Sequence, residues 1–187
     1  VLTEVYFALR DQNWNTIPFT LEKLKVSDEG DHFAIEFHAV HKEREISYEW
    51  DGRINGTEDS TISYEFRGTA GSDFLRNRIG FCVLHPADCC GKSCQIVHSD
   101  GSTEYCSFPE MIAPHQPFLD IRKMSCETEE GMLLNTEFEG EVFETEDQRN
   151  WTDASFKTYC TPLGLPFPVK VHRGDCVYQK VIVSLKT

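Results

Sequence analysis

The sequence predicts an all-β fold, an antiparallel β-sandwich or a related barrel, with little or no helix. Roughly a dozen short segments are rich in β-branched and aromatic residues and alternate between apolar and polar positions. Turn signals separate these segments at spacings of roughly ten residues. No segment repeats its apolar residues with the period of an amphipathic helix. The 187 residues are expected to form one β-sandwich domain, 1–187.

The first half of the chain contains the clearest predicted strands. They are residues 3–9, 20–26, 32–40, 46–52 and 62–68. The last two, ISYEWDG and ISYEFRG, place aromatic residues on one face, and Asn55-Gly56 between them favours a tight reversal. We therefore expect an antiparallel pair with an aromatic inner face. Trp14, in the loop after the first strand, is expected to plug the core.

The second half of the chain is less regular. Its predicted strands are residues 75–86, 94–98, 103–108, 118–124, 131–146 and 176–186, with 131–146 forming either two strands or one bent strand. Gly80 indicates a bulge or a close backbone approach, and Gly140 indicates a bulge. Asp100-Gly101 predicts a hairpin, and QRNWTD at 148–153 predicts a turn.

The composition excludes several classes of function. Lysine and arginine number 18 against 31 aspartate and glutamate residues, a formal net charge of −13. Such a field repels nucleic-acid phosphates and anionic membrane surfaces, so we expect neither partner. No apolar run approaches ~18 residues, so no membrane-spanning helix is expected. The chain starts at Val1 without a signal-peptide pattern, and we interpret it as a piece of something longer.

The eight cysteines permit disulfides without requiring them. Their spacing lacks the paired C-x-x-C arrangement of a structural zinc site. We therefore favour buried free thiols, as in a bacterial cytoplasmic protein, over a disulfide framework.

The acidic stretch between Glu137 and Cys160 is the first candidate for a binding site. Its central turn carries Asn150, Trp151 and Asp153. A sugar needs groups that both donate and accept hydrogen bonds, and an indole offers a flat apolar face to its C–H bonds. The alternative, of about equal weight, is a charged hairpin whose tryptophan packs on a neighbour.

Two other segments carry polar candidates. Arg76 and Arg78 precede a buried strand that ends at His85, and His115 is held between prolines in a rigid loop. Such arginines can clamp a carboxylate or stabilise an oxyanion, although pairing with the excess acids is the commoner outcome. A zinc site of His85, His98 and His115 is a weaker hypothesis because their spacing matches no motif. We expect no cofactor and no metal.

Three unusual blocks resemble one known family. They are LRNRIGFCVLHP at 75–86, FPEMIAPHQPFLDIR at 108–122 and FEGEVFETEDQRNWTDASFKTYCTPL at 138–163. Together they resemble the N-terminal domain of the D-apionate lactonase family. The segment NWTDASFKTY is more weakly similar to aldose-epimerase-like sugar-binding sandwiches, which implies a mutarotase-like supersandwich as one form of the predicted fold.

The resemblance implies a bacterial enzyme that opens D-apionolactone to D-apionate during breakdown of apiose, a branched plant sugar. Its implied partner is therefore a small sugar lactone or sugar acid. Family members continue into a barrel-like middle domain, so an intramolecular contact with a barrel is expected. The alternative is a non-catalytic carbohydrate-binding or structural module.

Lactone hydrolysis needs an activated water, a group that stabilises the oxyanion and an acid for the leaving hydroxyl. Crowding in the acidic turn is expected to raise the pKa of at least one carboxyl group. We predict that residues of the three blocks share one pocket. The predicted catalytic residues are Glu144, Glu146, His115 and Arg149, and the predicted substrate-binding residues are Arg76, Arg78, His85, Asn150, Trp151 and Asp153.

Overall fold

The computed structural model describes residues 4–128 and 131–186. The first seven strands are β1 (Glu4–Asp11), β2 (Phe19–Asp28), β3 (Phe33–Glu43), β4 (Ile46–Thr57), β5 (Thr61–Ala70), β6 (Phe74–Pro86) and β7 (Ser93–His98). The others are β8 (Thr103–Ser107), β9 (Phe118–Glu127), β10 (Leu133–Glu139), β11 (Phe143–Asp147), β12 (Ser155–Tyr159), β13 (Val169–Val171) and β14 (Cys176–Lys186). Helical structure in the described ranges is limited to 3₁₀ turns at Ala87–Cys89 and Gln148–Trp151, which confirms the all-β prediction.

The strands form one large antiparallel sheet with β1 and β2 at its two ends. The order is β1-β6-β12-β11-β9-β10-β14-β5-β4-β3-β2. Strand β13 adds to β6, while β7 pairs with β8 and β9. The sheet folds over a core that is dominated by aromatic and branched aliphatic side chains. This confirms the predicted antiparallel sandwich.

One turn prediction is wrong in position. Asn55 and Gly56 lie inside β4, opposite Ala34 and Phe33 of β3, and the chain reverses after Thr57 instead. A Cβ added to Gly56 would lie 2.0 Å from the Phe33 ring. The glycine therefore makes room for an aromatic side chain of the neighbouring strand, which the local sequence does not reveal.

Other local predictions are confirmed or refined. The Asp100-Gly101 hairpin joins β7 to β8. A Cβ on Gly80 would lie 2.4 Å from the Cys160 sulfur, so this position is a close approach inside β6. Gly140 separates β10 from β11 instead of forming a bulge within one strand. All eight cysteines lie in the described part of the chain and none forms a disulfide.

Strand alternation gives β1, β6, β12 and β11 two different faces. One face supplies core residues such as Leu9, Ile79 and Phe156, each fully or almost fully buried. The opposite face carries polar side chains, among them Arg78 and Lys157, and that face positions the site described next. Within the described residues, none of the helical turns is long or apolar enough to cross a bilayer.

Candidate functional site

A cleft of about 560 Å³ lies on the polar face of strands β1, β6, β12 and β11. The loops after β1, β11 and β12 form its walls. Its lining residues are Tyr6, Ala8, Arg10, Trp14, Arg78, Cys82, Glu146, Gln148, Trp151, Lys157, Leu163 and Phe167.

Aromatic side chains form the walls of the cleft. Trp14 is 41% exposed and stacks edge-on to Phe167, with ring centroids 5.4 Å apart. The Asp11 carboxylate accepts hydrogen bonds from the backbone N–H groups of Asn13 and Asn15 at 2.8 Å, which shapes the loop that presents Trp14. Trp14 is therefore a cleft residue, and the prediction that it plugs the core is wrong. Trp151, on the 3₁₀ turn after β11, is 74% exposed.

Arg78 is the most buried cation of the cleft, at 8% exposure. Its guanidinium lies 3.7 Å from the centroid of the Tyr159 ring and 5.2 Å from that of Trp14. Nη1 of Arg78 donates to the carbonyl oxygen of Thr161 at 3.1 Å. Two aromatic faces and one carbonyl therefore fix this guanidinium in place.

A carboxylate and an ammonium group form the opposite side of the cleft. Glu146 of β11 faces Lys157 of β12 in the strand register, and the two side chains form an ion pair. Nε2 of Gln148 donates to the same Glu146 oxygen, Oε1, at 2.6 Å. A bound molecule would therefore meet both a hydrogen-bond acceptor and a donor on this side.

A buried network supports the cleft from behind. The Tyr159 hydroxyl donates to Oε1 of Glu144 at 2.5 Å, and the backbone N–H of Leu163 donates to the same oxygen at 2.7 Å. Gln116 donates to the Tyr159 hydroxyl at 3.3 Å. Burial, followed by the hydrogen bond to Glu144, raises the pKa of Tyr159. Glu144 thus holds the ring on which Arg78 rests.

Arg149 belongs to the other face of the sheet. Its guanidinium lies over the ring of Phe156, whose side chain points away from Lys157 by strand alternation. It forms an ion pair with Asp147 at 2.7 Å and donates to the carbonyl oxygen of Pro109 at 2.8 Å. It also donates to the carbonyl oxygens of Glu110 and Met111. Arg149 therefore ties the loop before β9 to the end of β11.

The carboxyl group of Asp147 departs from the crowding expectation. Burial alone would raise its pKa, but hydrogen bonds from Arg149 and from the backbone N–H of Ala113 outweigh burial and lower it. Opposite charge and donated hydrogen bonds stabilise the ionised form more than burial opposes it. Asp147 is therefore not a carboxyl group whose pKa crowding raises.

Three further predicted site residues, Arg76, His85 and His115, do not line the cleft. His85 is 1% exposed, and its Nε2 lies 2.8 Å from the Thr158 hydroxyl on the core face. Arg76 donates to the Thr161 hydroxyl at 3.1 Å. His115 is exposed on the loop before β9. No cluster of metal-ligating side chains occurs in residues 4–128 and 131–186, so the zinc hypothesis of three histidines is wrong.

Asn150 and Asp153 stabilise the turn that carries Trp151. The Asn150 amide donates to the Ala113 carbonyl oxygen, and an oxygen of Asp153 accepts from the Ser155 hydroxyl at 3.2 Å. Of the ten predicted site residues, those that line the cleft are Arg78, Glu146 and Trp151.

Sequence reasoning missed several cleft residues. Arg10 shares its face of β1 with Tyr6 and Ala8, so strand alternation could have indicated that they act together. Lys157 lies within the acidic block at 138–163, where the acidic residues and not the lysine suggested a site. Phe167 comes from a proline-rich loop, and nothing in its local sequence indicates that it meets Trp14.

The fold is similar to that of galactose mutarotase-like β-sandwiches. An α-galactosidase from Geobacillus stearothermophilus, in complex with stachyose, superposes with a TM-score of 0.58 over 96% of this chain and 30% of that chain, at 10% identity. A galactose 1-epimerase from Lactobacillus acidophilus gives a TM-score of 0.52 over 93% of this chain and 67% of that one, at 6% identity. At these identities the likeness concerns the fold alone.

The chain belongs to the D-apionate lactonase N-terminal domain family, whose model matches residues 1–187. A curated relative, the D-apionate lactonase of Brucella anthropi, is 32% identical over 187 residues. The match covers 99% of this chain and 31% of the relative, so the chain spans about a third of that protein. The resemblance expected from the three blocks is confirmed.

Proposed function

We propose that this chain is the sugar-recognising part of a bacterial lactonase that hydrolyses D-apionolactone, or a close analogue, to the sugar acid in the cytoplasmic breakdown of apiose. Membership of the family supports the substrate class. The curated relative is named a D-apionate lactonase, and this chain covers 31% of its length. The activity of the whole enzyme is therefore part of the proposal.

The cleft is the observation that carries the proposal. Its volume of about 560 Å³ suits a small molecule, since such pockets span roughly 300–1,000 Å³. Trp14 and Trp151 offer flat apolar faces to the C–H bonds of a sugar ring. Arg78, Glu146 and Lys157 supply the donors and acceptors that vicinal hydroxyls need.

The proposed chemistry is hydrolysis of an ester within a ring. The oxygen of water bonds to the lactone carbonyl carbon, and the bond between that carbon and the ring oxygen breaks. The ring oxygen leaves as a hydroxyl, and the acid is released as a carboxylate and a proton. Both protein contacts of Glu146 use Oε1, so we assign Oε2 as the acceptor of a proton from water. Arg78 is the proposed stabiliser of the oxyanion.

The other catalytic roles stay predictions. Glu144 reaches the cleft through the Tyr159 hydroxyl, so a direct role would require Tyr159 to move. Arg149 binds the loop before β9 from the opposite face of the sheet. His115 is exposed on that loop. These positions favour positioning or structural roles for Glu144 and Arg149 over direct contact with the lactone.

A second candidate is a non-catalytic binding module. Trp151 is 74% exposed, so one wall of the cleft is open to water. Enzymes that hydrolyse small substrates commonly close the site around the reacting groups. In this candidate, the barrel domain of the longer enzyme covers the cleft and contributes the catalytic groups, while this chain holds the sugar.

The test is the substitution Glu146→Gln in the full-length enzyme, assayed with D-apionolactone. Loss of the proposed base is expected to lower kcat by about 10²-fold or more. Glu137→Gln is the matched control, because Glu137 pairs with Lys123 on β9, away from the cleft, and is expected to retain activity. Equal kcat for wild type and Glu146→Gln, together with saturable sugar binding by the chain alone, would favour the second candidate.

A further inference from the structure

We infer that the cleft selects the ring-opened sugar acid through a seat for a carboxylate between Arg10 and Arg78. This inference rests on the proposed function, because it uses the same cleft. It adds that the anionic acid binds more tightly than the neutral lactone. The observations that lead to it are the register of the two arginines, their surroundings and their unused donors.

The two arginines lie side by side on adjacent strands. Arg10 of β1 faces Arg78 of β6 in the antiparallel register, and both line the cleft. Directly opposed residues have Cβ atoms roughly 4.5–5.5 Å apart, and like charges at such positions repel each other. An anion bound between them would remove this repulsion.

Neither guanidinium has a carboxylate partner. Within residues 4–128 and 131–186, no aspartate or glutamate oxygen lies within the ion-pair distance of 4.0 Å from Arg10 or Arg78. This is unexpected in a chain whose 31 acidic residues outnumber its 18 lysines and arginines. By contrast, Arg53, Arg67 and Arg149 each have an acidic partner in the described part of the chain. Two unpaired guanidinium groups in one cleft therefore indicate an external anion.

Both guanidinium groups are held in place by groups that leave donors free. Nη1 of Arg10 donates to the Trp14 carbonyl oxygen at 3.2 Å, and Nη1 of Arg78 donates to the Thr161 carbonyl oxygen at 3.1 Å. A guanidinium has five N–H donors in a fixed plane. The hydrogen bonds within the described part of the chain use only Nη1 of each group. The remaining donors can form the paired N–H···O bonds that a carboxylate accepts.

The chemistry of the proposed reaction supplies such an anion. A neutral lactone carries no charge, whereas its hydrolysis product carries a carboxylate in place of the ester. The apolar wall of Trp14 next to the seat would contact the carbon chain of the acid. Lys157 is paired with Glu146 and therefore adds little net charge, so the selectivity depends on the two arginines.

The experiment measures dissociation constants of the 187-residue chain by calorimetry. The ligands are D-apionate, D-apionolactone, erythritol and glycerol 3-phosphate, and the lactone sample is checked by NMR for ring opening during the titration. We expect D-apionate to bind at least ten-fold more tightly than the lactone and erythritol, and more tightly than glycerol 3-phosphate. Added salt should reduce this preference, because it screens the charges.

Three variants assign the preference to the two guanidinium groups. Arg78→Met and Arg10→Met are each expected to lose the preference for the acid, while Arg78→Lys retains part of it. Arg67→Met is the matched control: it removes the same charge from a guanidinium that lies 4.3 Å from the Tyr178 ring and pairs with Glu65. It is expected to bind like the wild type. Thermal unfolding of each variant verifies that it is folded, and Arg10, which is less buried, provides the test if Arg78→Met does not fold.

Each alternative result has a defined meaning. Equal affinity for acid and lactone, or a preference that survives both methionine variants, overturns the carboxylate seat and leaves the proposed sugar site intact. Tighter binding of glycerol 3-phosphate than of D-apionate assigns the seat to phosphate and also overturns the inference. Absence of binding by all four ligands overturns both the inference and the proposed function of the cleft.

Discussion

The two ends of the sheet differ in whether their surface arginines have acidic partners. On strands β2 to β5, arginines are paired with nearby acids: Arg53 lies 3.7 Å from Glu36, and Arg67 lies 3.3 Å from Glu65. At the opposite end, Arg10 faces Arg78 without a carboxylate partner among the described residues. Both ends use the same strand alternation and the same residue types.

The comparison shows how to separate a surface from a site. Exposed ion pairs contribute little to stability, and pairing of this kind needs no ligand to explain it. Like charges that face each other without acids are unfavourable unless another molecule neutralises them. We call strands β2 to β5 the paired end and the region of Arg10 and Arg78 the unpaired end. Core substitutions at the paired end are expected to change stability, and surface substitutions at the unpaired end are expected to change binding.

The largest expected effect is a loss of stability at the paired end that leaves binding in the cleft unchanged. Phe66 is fully buried, and its ring packs 4.9 Å from Phe7 and 5.1 Å from Phe81. Phe66→Ala should lower the free energy of unfolding by about 3–5 kcal/mol, because it leaves a cavity among aromatic rings. Urea denaturation measures this loss. Sugar affinity of the folded variant should remain that of the wild type.

A surface variant on the same end provides the comparison. Leu24 of β2 is 60% exposed, and Leu24→Ala should change the unfolding free energy by no more than about 0.5 kcal/mol. A large loss for this variant would mean that β2 is covered by another part of the protein in solution. Weaker sugar binding by Phe66→Ala at full folding would mean that the two ends are coupled.

The second effect concerns Arg149, whose predicted role was catalytic. Arg149→Met should destabilise the fold by about 3 kcal/mol, because it leaves the Asp147 carboxylate buried without its partner. The double variant Asp147→Asn with Arg149→Met should recover part of this loss. Full stability combined with loss of turnover in the full-length enzyme would contradict the structural role and support the catalytic one.

The predicted strands were mostly correct because alternation is a local property. Phe33, Ile35 and Phe37 reveal the face of β3 without reference to other strands. The turn predicted at Asn55-Gly56 was wrong because this dipeptide can either form a tight turn or make room for an aromatic ring of the neighbouring strand. Only the register of β3 against β4 distinguishes these two uses.

The candidate site was predicted in part for the same reason. Trp151, Glu146 and Arg78 attracted attention through their own local sequence. Arg10 did not, because its importance arises from the strand register that brings it opposite Arg78. Arg149 is predicted to share the pocket because it belongs to one of the three unusual blocks, yet its hydrogen bonds to residues 109–111 hold it on the other face.

The smallest expected effect is a pH dependence of stability that arises from a buried histidine at the paired end. His41, at the paired end, is 1% exposed; its Nδ1 lies 2.9 Å from the Ile17 carbonyl oxygen, and its Nε2 accepts from Nε1 of Trp50 at 3.1 Å. Burial lowers the pKa of His41 despite its backbone hydrogen bond. The unfolded chain therefore takes up a proton at His41 before the folded chain does.

The sign of the pH effect follows directly. The contribution of neutral His41 is fully present above the unfolded pKa of about 6.5 and is lost as the pH falls below it, at no more than about 1.4 kcal/mol per pH unit. Urea denaturation between pH 7.5 and pH 5.5 should show this decline in the wild type and a flatter profile in His41→Gln. His115→Gln, which removes an exposed histidine near the other end, should retain the decline. An equal slope for wild type and His41→Gln would show that the Trp50–His41 hydrogen bond does not couple folding to protons.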